Sequence, residues 1–178
     1  NYAAFMFMAP LALHSATTVH VGHAVGRGDV RGARFAGFVG IGLCGALMVV
    51  SAIVIVFANE SIARLYTRDA AVLPIAAGLL LMAAVFQVSD GLQIGAAGAL
   101  RGFKDARVPM WLNFVSYWIV GFPLAFGLGV VMGGGPVYVW VGLIAGLTAC
   151  ALALNLRYRV VSRAAVRRAE SGAVAPAI

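Results

Sequence analysis

Charge is what this sequence has least of. Asp and Glu together supply only six of 178 residues, and charged residues of either sign make up 11%. Soluble domains carry about 25%, so an ordinary water-soluble domain is excluded. Cysteine is nearly absent too. Cys44 and Cys150 each stand in an apolar run, which builds neither a disulfide framework nor a metal site. The three histidines, His14, His20 and His23, have no carboxylate or thiol near them in sequence. His20 and His23 share a helix face, and packed or interfacial histidine is the reading that fits. No Ser/His/Asp or Cys/His arrangement supplies a nucleophile, which argues against an enzyme. The glycine spacing matches neither a phosphate loop nor a dinucleotide fingerprint.

What is present is apolar. Hydrophobic residues make up 62% of the chain, and the mean hydropathy is +0.97. The net charge of +7 does not indicate a nucleic-acid partner, because the basic residues form short tracts between long apolar runs. A spanning helix needs about 20 apolar residues, and five segments qualify: about 1–20, 35–58, 71–100, 108–132 and 137–156. Gly133-Gly134-Gly135-Pro136 divides the last two. The expected fold class is all-α, a polytopic bundle of five spanning helices over residues 1–156, followed by a basic tail, 157–178. Pro10 and Pro123 fall inside helices and should kink them. The chain is already apolar at Asn1 and has no signal-peptide pattern. It reads as the C-terminal part of a longer protein.

Orientation follows from the basic residues. Arg27–Arg34 and Arg101–Arg107 carry three each, and the tail carries Arg157, Arg159, Arg163, Arg167 and Arg168. In the remaining loop, Asn59–Asp69, Arg64 and Arg68 are balanced by Glu60 and Asp69. The richer loops face the cytoplasm, and so does the C-terminus. Tyr66, Trp111, Tyr138, Trp140 and Tyr158 lie near span ends, where an interfacial belt would be. The Arg27-Gly28-Asp29 adhesion tripeptide falls on the cytoplasmic side, which makes it a coincidence. Gly91/Gly95, Gly98/Gly102 and Gly142/Gly146 are small-x3-small pairs that permit close helix packing. An internal echo is also present. Gly22-x3-Gly26-x2-Asp29 closes the first helix, and Gly98-x3-Gly102-x2-Asp105 closes the third. Related helix pairs are a common way to build transporters.

One acid lies deep in the third span. Asp90 is flanked by Gln87 and Gln93, which fall about 60° to either side of it on a helix. It is eleven residues from Arg101, roughly 16 Å, or about half of a ~30 Å hydrocarbon core. A carboxylate at that depth costs about 2.5–3.5 kcal/mol on insertion scales, which makes it a functional-site candidate. On the next helix Asn113, Ser116 and Tyr117 form an i, i+3, i+4 polar stripe, and the hairpin brings Tyr117 to a similar depth. The functional reading is a polar cavity that binds a cation or a proton at Asp90. The competing reading is hydrogen bonding that holds helices together.

These residues resemble a family. Pro10 and Ala16-Thr17-Thr18-Val19-His20-Val21-Gly22-His23-Ala24-Val25-Gly26-Arg27-Gly28-Asp29 resemble the eighth-helix ending of MATE multidrug and toxic-compound extrusion transporters. Phe86-Gln87-Val88-Ser89-Asp90-Gly91-Leu92-Gln93, with Gly98-Ala99-Leu100-Arg101-Gly102, resembles the tenth helix of the NorM-like branch. Val108-Pro109-Met110 through Tyr117-Trp118, Gly121 and Pro123 resembles the eleventh, and Gly142-Leu143 to Gly146-Leu147 the twelfth. The resemblance implies helices eight to twelve of a twelve-helix, two-lobed antiporter in a bacterial inner membrane. Such proteins export cationic or amphipathic drugs in exchange for sodium ions or protons and use no other cofactor. It implies that Asp90 takes the coupling ion, with Gln93 in the same motif; that Gln87, Gln93, Asn113, Ser116 and Tyr117 line the cavity remains the reading of their helical spacing. The partners implied are the drugs, membrane lipids and the missing N-terminal lobe. A lipid-linked saccharide flippase of the same superfamily, and a membrane scaffold that transports nothing, are the alternatives. The flippase should carry basic residues within its helices, and none falls within these five.

Overall fold

The computed structural model describes residues 2–66 and 73–171, and the side chains of residues 8–59, 61 and 78–171. Asn1, the segment 67–72 with Arg68 and Asp69, and the tail from residue 172 lie outside the described residues, as does the side chain of Tyr66.

The fold is the expected all-α bundle, and five helical rods account for the described residues. They are α1 (Tyr2–Gly26), α2 (Val30–Tyr66), α3 (Leu73–Gly102), α4 (Arg107–Val131) and α5 (Gly135–Glu170). All but α1 are long and apolar enough to cross a membrane by the hydropathy of their described residues. α1 carries all three histidines.

The helices outrun the apolar segments that announced them. α2 has 37 residues and α5 has 36, roughly 55 Å each at ~1.5 Å per residue. A charge-free run marks the part of a helix in lipid. The helix itself ends only where its backbone bonding ends, and Arg157 does not end it. Residues 157–170 of the expected tail are therefore a helical continuation of α5, packed back on the bundle. Tyr158 is fully buried there and donates its hydroxyl to Arg34 O at 2.8 Å, while its ring meets Phe38 edge-on. It is a core residue, not part of an interfacial belt. Arg157 Nε bonds Asp105 Oδ2 at 2.8 Å, and Arg31 pairs with Glu170 at the surface.

α3 is the centre of the bundle. It packs on α1, α2 and α5, and α4 lies outside against α5. One core cluster gathers Ile41, Ala96, Ala99, Leu100, Cys150, Leu154 and Tyr158 where α2, α3 and α5 meet. The interior is built largely from small side chains, while Phe35, Phe57 and Val131 are among many large apolar residues facing out. Along α4, Trp111, Phe114, Trp118, Phe122 and Phe126 form an exposed row with neighbouring ring centroids 5.9–6.3 Å apart. Large apolar groups outside and small ones between helices is the pattern of a bundle solvated by lipid.

The echoing glycine motifs are the same helix ending twice. Asp29 N–H donates to Ala24 O at 2.9 Å, and Asp105 N–H donates to Leu100 O at 3.0 Å. The residue before each is left-handed, Gly28 at φ 77 and Lys104 at φ 60. This is the Schellman closure, which uses up carbonyls the helix end would otherwise leave bare. The two motifs also come together. A Cβ on Gly98 would stand 2.7 Å from His14 O, and one on Gly102 would stand 3.0 Å from Thr18 O. Glycine therefore sets how closely α1 and α3 approach.

Pro123 lies within α4. It has no N–H to donate, and its ring crowds the carbonyl four residues back. The segments on either side, Ser116–Gly121 and Gly127–Val131, are π-helical. Their wider turns take up the misfit and leave the rod continuous.

Candidate functional site

Four residues expected in the cavity converge between α3, α4 and α5. Tyr117 donates its hydroxyl to Gln93 Oε1 at 2.9 Å, and Gln93 Nε2 donates to Asn113 Oδ1 at 3.3 Å. The Cys150 thiol donates to the same Asn113 oxygen at 2.7 Å, with the buried Ser116 hydroxyl beside it. Gln93 is 9% exposed and Cys150 fully buried, while Tyr117 is 37% exposed, so the cluster is sheltered at its α3 and α5 ends, where an unpaired polar group is costly, and open at its α4 end.

Gln87 does not join them. It is 4% exposed and turns to α2, where its Oε1 accepts from Ser51 Oγ at 2.9 Å. Its Nε2 has no partner among the described residues. The two glutamines thus lie on opposite sides of Asp90, as their helical spacing requires, and hold different neighbours.

Asp90 stands between them, half-buried. No hydrogen bond or ion pair reaches its carboxylate among the described residues, and the Tyr117 hydroxyl is its electrostatic neighbour. Asp90, Ile94, Ala97 and Arg101 follow i, i+4, i+7 and i+11, so they share one face of α3. α1 flanks that face on one side. His14 Nδ1 donates to Ile94 O at 2.9 Å, and its Nε2 accepts from Arg101 Nη1 at 3.3 Å. α4 flanks the other side through Tyr117. α1 and α4 share no packed interface among the described residues. Among the described residues, the face that carries the acid is therefore left open between them.

The sequence reading missed Ser51, Cys150 and His14 as neighbours of this site. Ser51 left a signal: within the charge-free run 35–58 it is the only hydroxyl-bearing residue. Cys150 left none, because cysteine is at home in an apolar helix.

The profile of the MatE family matches residues 1–126. The chain belongs to the MatE family. It is 50% identical over 163 residues to the probable multidrug resistance protein NorM of Xanthomonas campestris pv. campestris, an alignment covering 92% of this chain and 36% of the relative. The multidrug resistance protein PmpM of Pseudomonas aeruginosa is 42% identical over 174 residues, covering 96% and 36%. This MatE chain thus spans about a third of the length of the curated relatives it matches. Among solved structures, an inward-facing multidrug resistance MATE family transporter of the MOP superfamily superposes with a TM-score of 0.83 at 18% identity, covering 93% of this chain and 38% of the other. At that identity the likeness speaks for the fold alone. Fold, apolar helices and relatives together make the MatE chain a multi-pass membrane protein.

Proposed function

We propose that this chain forms most of the C-terminal lobe of a cation-coupled multidrug efflux antiporter. The complete protein would export cationic or amphipathic compounds across a bacterial inner membrane in exchange for Na⁺ or H⁺. Asp90 takes the ion, and Gln93, Asn113, Ser116 and Tyr117 form the polar wall beside it, while Gln87 holds α2 on the other side. The N-terminal lobe, from sequence beyond this chain, closes the open face of α3. The C-terminus is cytoplasmic, on the side of the arginine-rich loops.

The observation that carries this reading is that the carboxylate of Asp90 has no hydrogen-bond or ion-pair partner among the described residues. An acid that served only to tie helices together would be bonded to a neighbour. Here the amides on either side are engaged with α2 and α4, and the acid faces the gap. An intramembrane acid in that position is suited to exchange a small cation with water. Coupling then needs only that the ion and the drug prefer different states of the two lobes. The family and the relatives named for drug resistance support the same reading.

The test is transport by the complete polypeptide in vesicles with an imposed Na⁺ or H⁺ gradient. Asp90→Asn should abolish ion-driven drug efflux, and Asp90→Glu should keep part of it. Undiminished ion-driven efflux by Asp90→Asn would overturn the assignment.

A further inference from the structure

The Arg27-Gly28-Asp29 turn has no part in the site around Asp90. It stands at the mouth of a groove of about 490 Å³ that runs between α1 and α2. Above the turn come His20 and Thr17, and above these the groove is walled by Leu13, Ala16, Val39 and Leu43. From Arg27 to Leu13 along α1 is fourteen residues, roughly 21 Å at ~1.5 Å per residue. One leaflet of hydrocarbon is about 15 Å, half of a ~30 Å core. The groove therefore has the length of one lipid, with its polar end at the surface and its apolar end within the leaflet.

The two charges at the mouth are not spent on each other. Arg27 is exposed and has no ion-pair partner among the described residues. Asp29 uses Oδ1 to accept the Gly32 N–H at 2.8 Å, which starts α2, and its other oxygen has no hydrogen-bond partner among the described residues. Gly28, at φ 77, turns the chain so that both side chains line the same mouth.

We propose that this groove binds a phospholipid with a phosphoethanolamine headgroup. One acyl chain lies along Leu13, Ala16, Val39 and Leu43. The phosphate meets Arg27, and the ammonium meets the free oxygen of Asp29. A purely anionic headgroup would set its charge against Asp29. An apolar helix in the same groove would cover both charges without pairing either, which is costly. The inference rests on α1 and α2 lying in the membrane and not on the transport reaction.

The experiment is native mass spectrometry of the complete polypeptide, delipidated and then offered equal phosphatidylethanolamine and phosphatidylglycerol with the same acyl chains. The wild type should retain phosphatidylethanolamine about fivefold over phosphatidylglycerol, the upper range for one exposed charge pair. Asp29→Asn keeps an oxygen for the Gly32 N–H, so the start of α2 survives, and the preference should vanish. Arg27→Gln should lower retention of both lipids, and Ala16→Trp, which fills the groove, should do the same. Equal or reversed lipid preference in the wild type would overturn the proposal. So would a preference that persists in Asp29→Asn, or undiminished retention in Arg27→Gln or Ala16→Trp.

Discussion

Tyr117 and Gln93 are joined across two helices by a hydrogen bond of 2.9 Å from the phenol to the amide oxygen. That bond fixes the Gln93 amide, because its oxygen accepts and its nitrogen must then donate to Asn113. A double-mutant cycle with Tyr117→Phe and Gln93→Leu should give a coupling energy of about 0.6 kcal/mol, and no more than ~1.7 kcal/mol, the range for such bonds inside membranes. Unfolding of the purified polypeptide in mixed micelles measures it. Zero coupling would mean that the two side chains do not meet.

The glycines between α4 and α5 set a second expectation. A Cβ on Gly142 would land on the Ala125 backbone, and one on Gly146 would stand 2.6 Å from Gly121 Cα. The obstacle in each case is backbone, which cannot swing aside. Gly142→Val and Gly146→Val should each destabilise the bundle by at least ~1–3 kcal/mol, the cost of overpacking. Gly127→Ala meets open space and should change stability little. Thermal unfolding of the three variants side by side checks this.

Lys104 occupies the left-handed position that Gly28 holds in the equivalent turn. A residue with a Cβ pays about 1–2 kcal/mol there and glycine does not. Lys104→Gly should therefore raise stability by up to ~1 kcal/mol, after the entropy lost by a freer unfolded chain. Gly28→Ala should lower it. Opposite signs in one unfolding assay support the shared turn, and equal signs count against it.

At the arginine-rich end, burial separates two contacts of α5. Tyr158 is fully buried and bonds Arg34 O, so Tyr158→Phe should cost about 1 kcal/mol. The Arg31–Glu170 pair is exposed, with side chains 79% and 52% accessible. Glu170→Gln should leave the melting temperature unchanged, as is common for surface pairs.

Particular residues show how far the sequence could be read. The five helices follow from runs without charge, since lipid tolerates little else. Gln93, Asn113, Ser116 and Tyr117 were found together because helical spacing and a hairpin suffice to align them. Gln87 was misplaced among them. Periodicity gives an angle on one helix, but not which helix fills that angle, and Ser51 fills it. Tyr158 reads as interfacial because an aromatic next to arginines usually is. Its burial depends on α5 continuing past Leu156 and folding its face onto Arg34. The π-helical stretches beside Pro123 carry no composition signal of their own, because they are a response to packing and to a missing N–H.

The account depends most on water reaching the Asp90 side chain from the gap between α1 and α4. Asp90→Cys, in the complete polypeptide in sealed membranes, should react with a charged, water-soluble thiol reagent. Cys44 and Cys150 are fully buried and contribute little background, and Ala84→Cys, at a site 3% exposed on the same helix, should stay unlabelled. Labelling of Asp90→Cys well above that control is the expected result. An Asp90→Cys thiol as silent as the one at position 84 would contradict the mechanism.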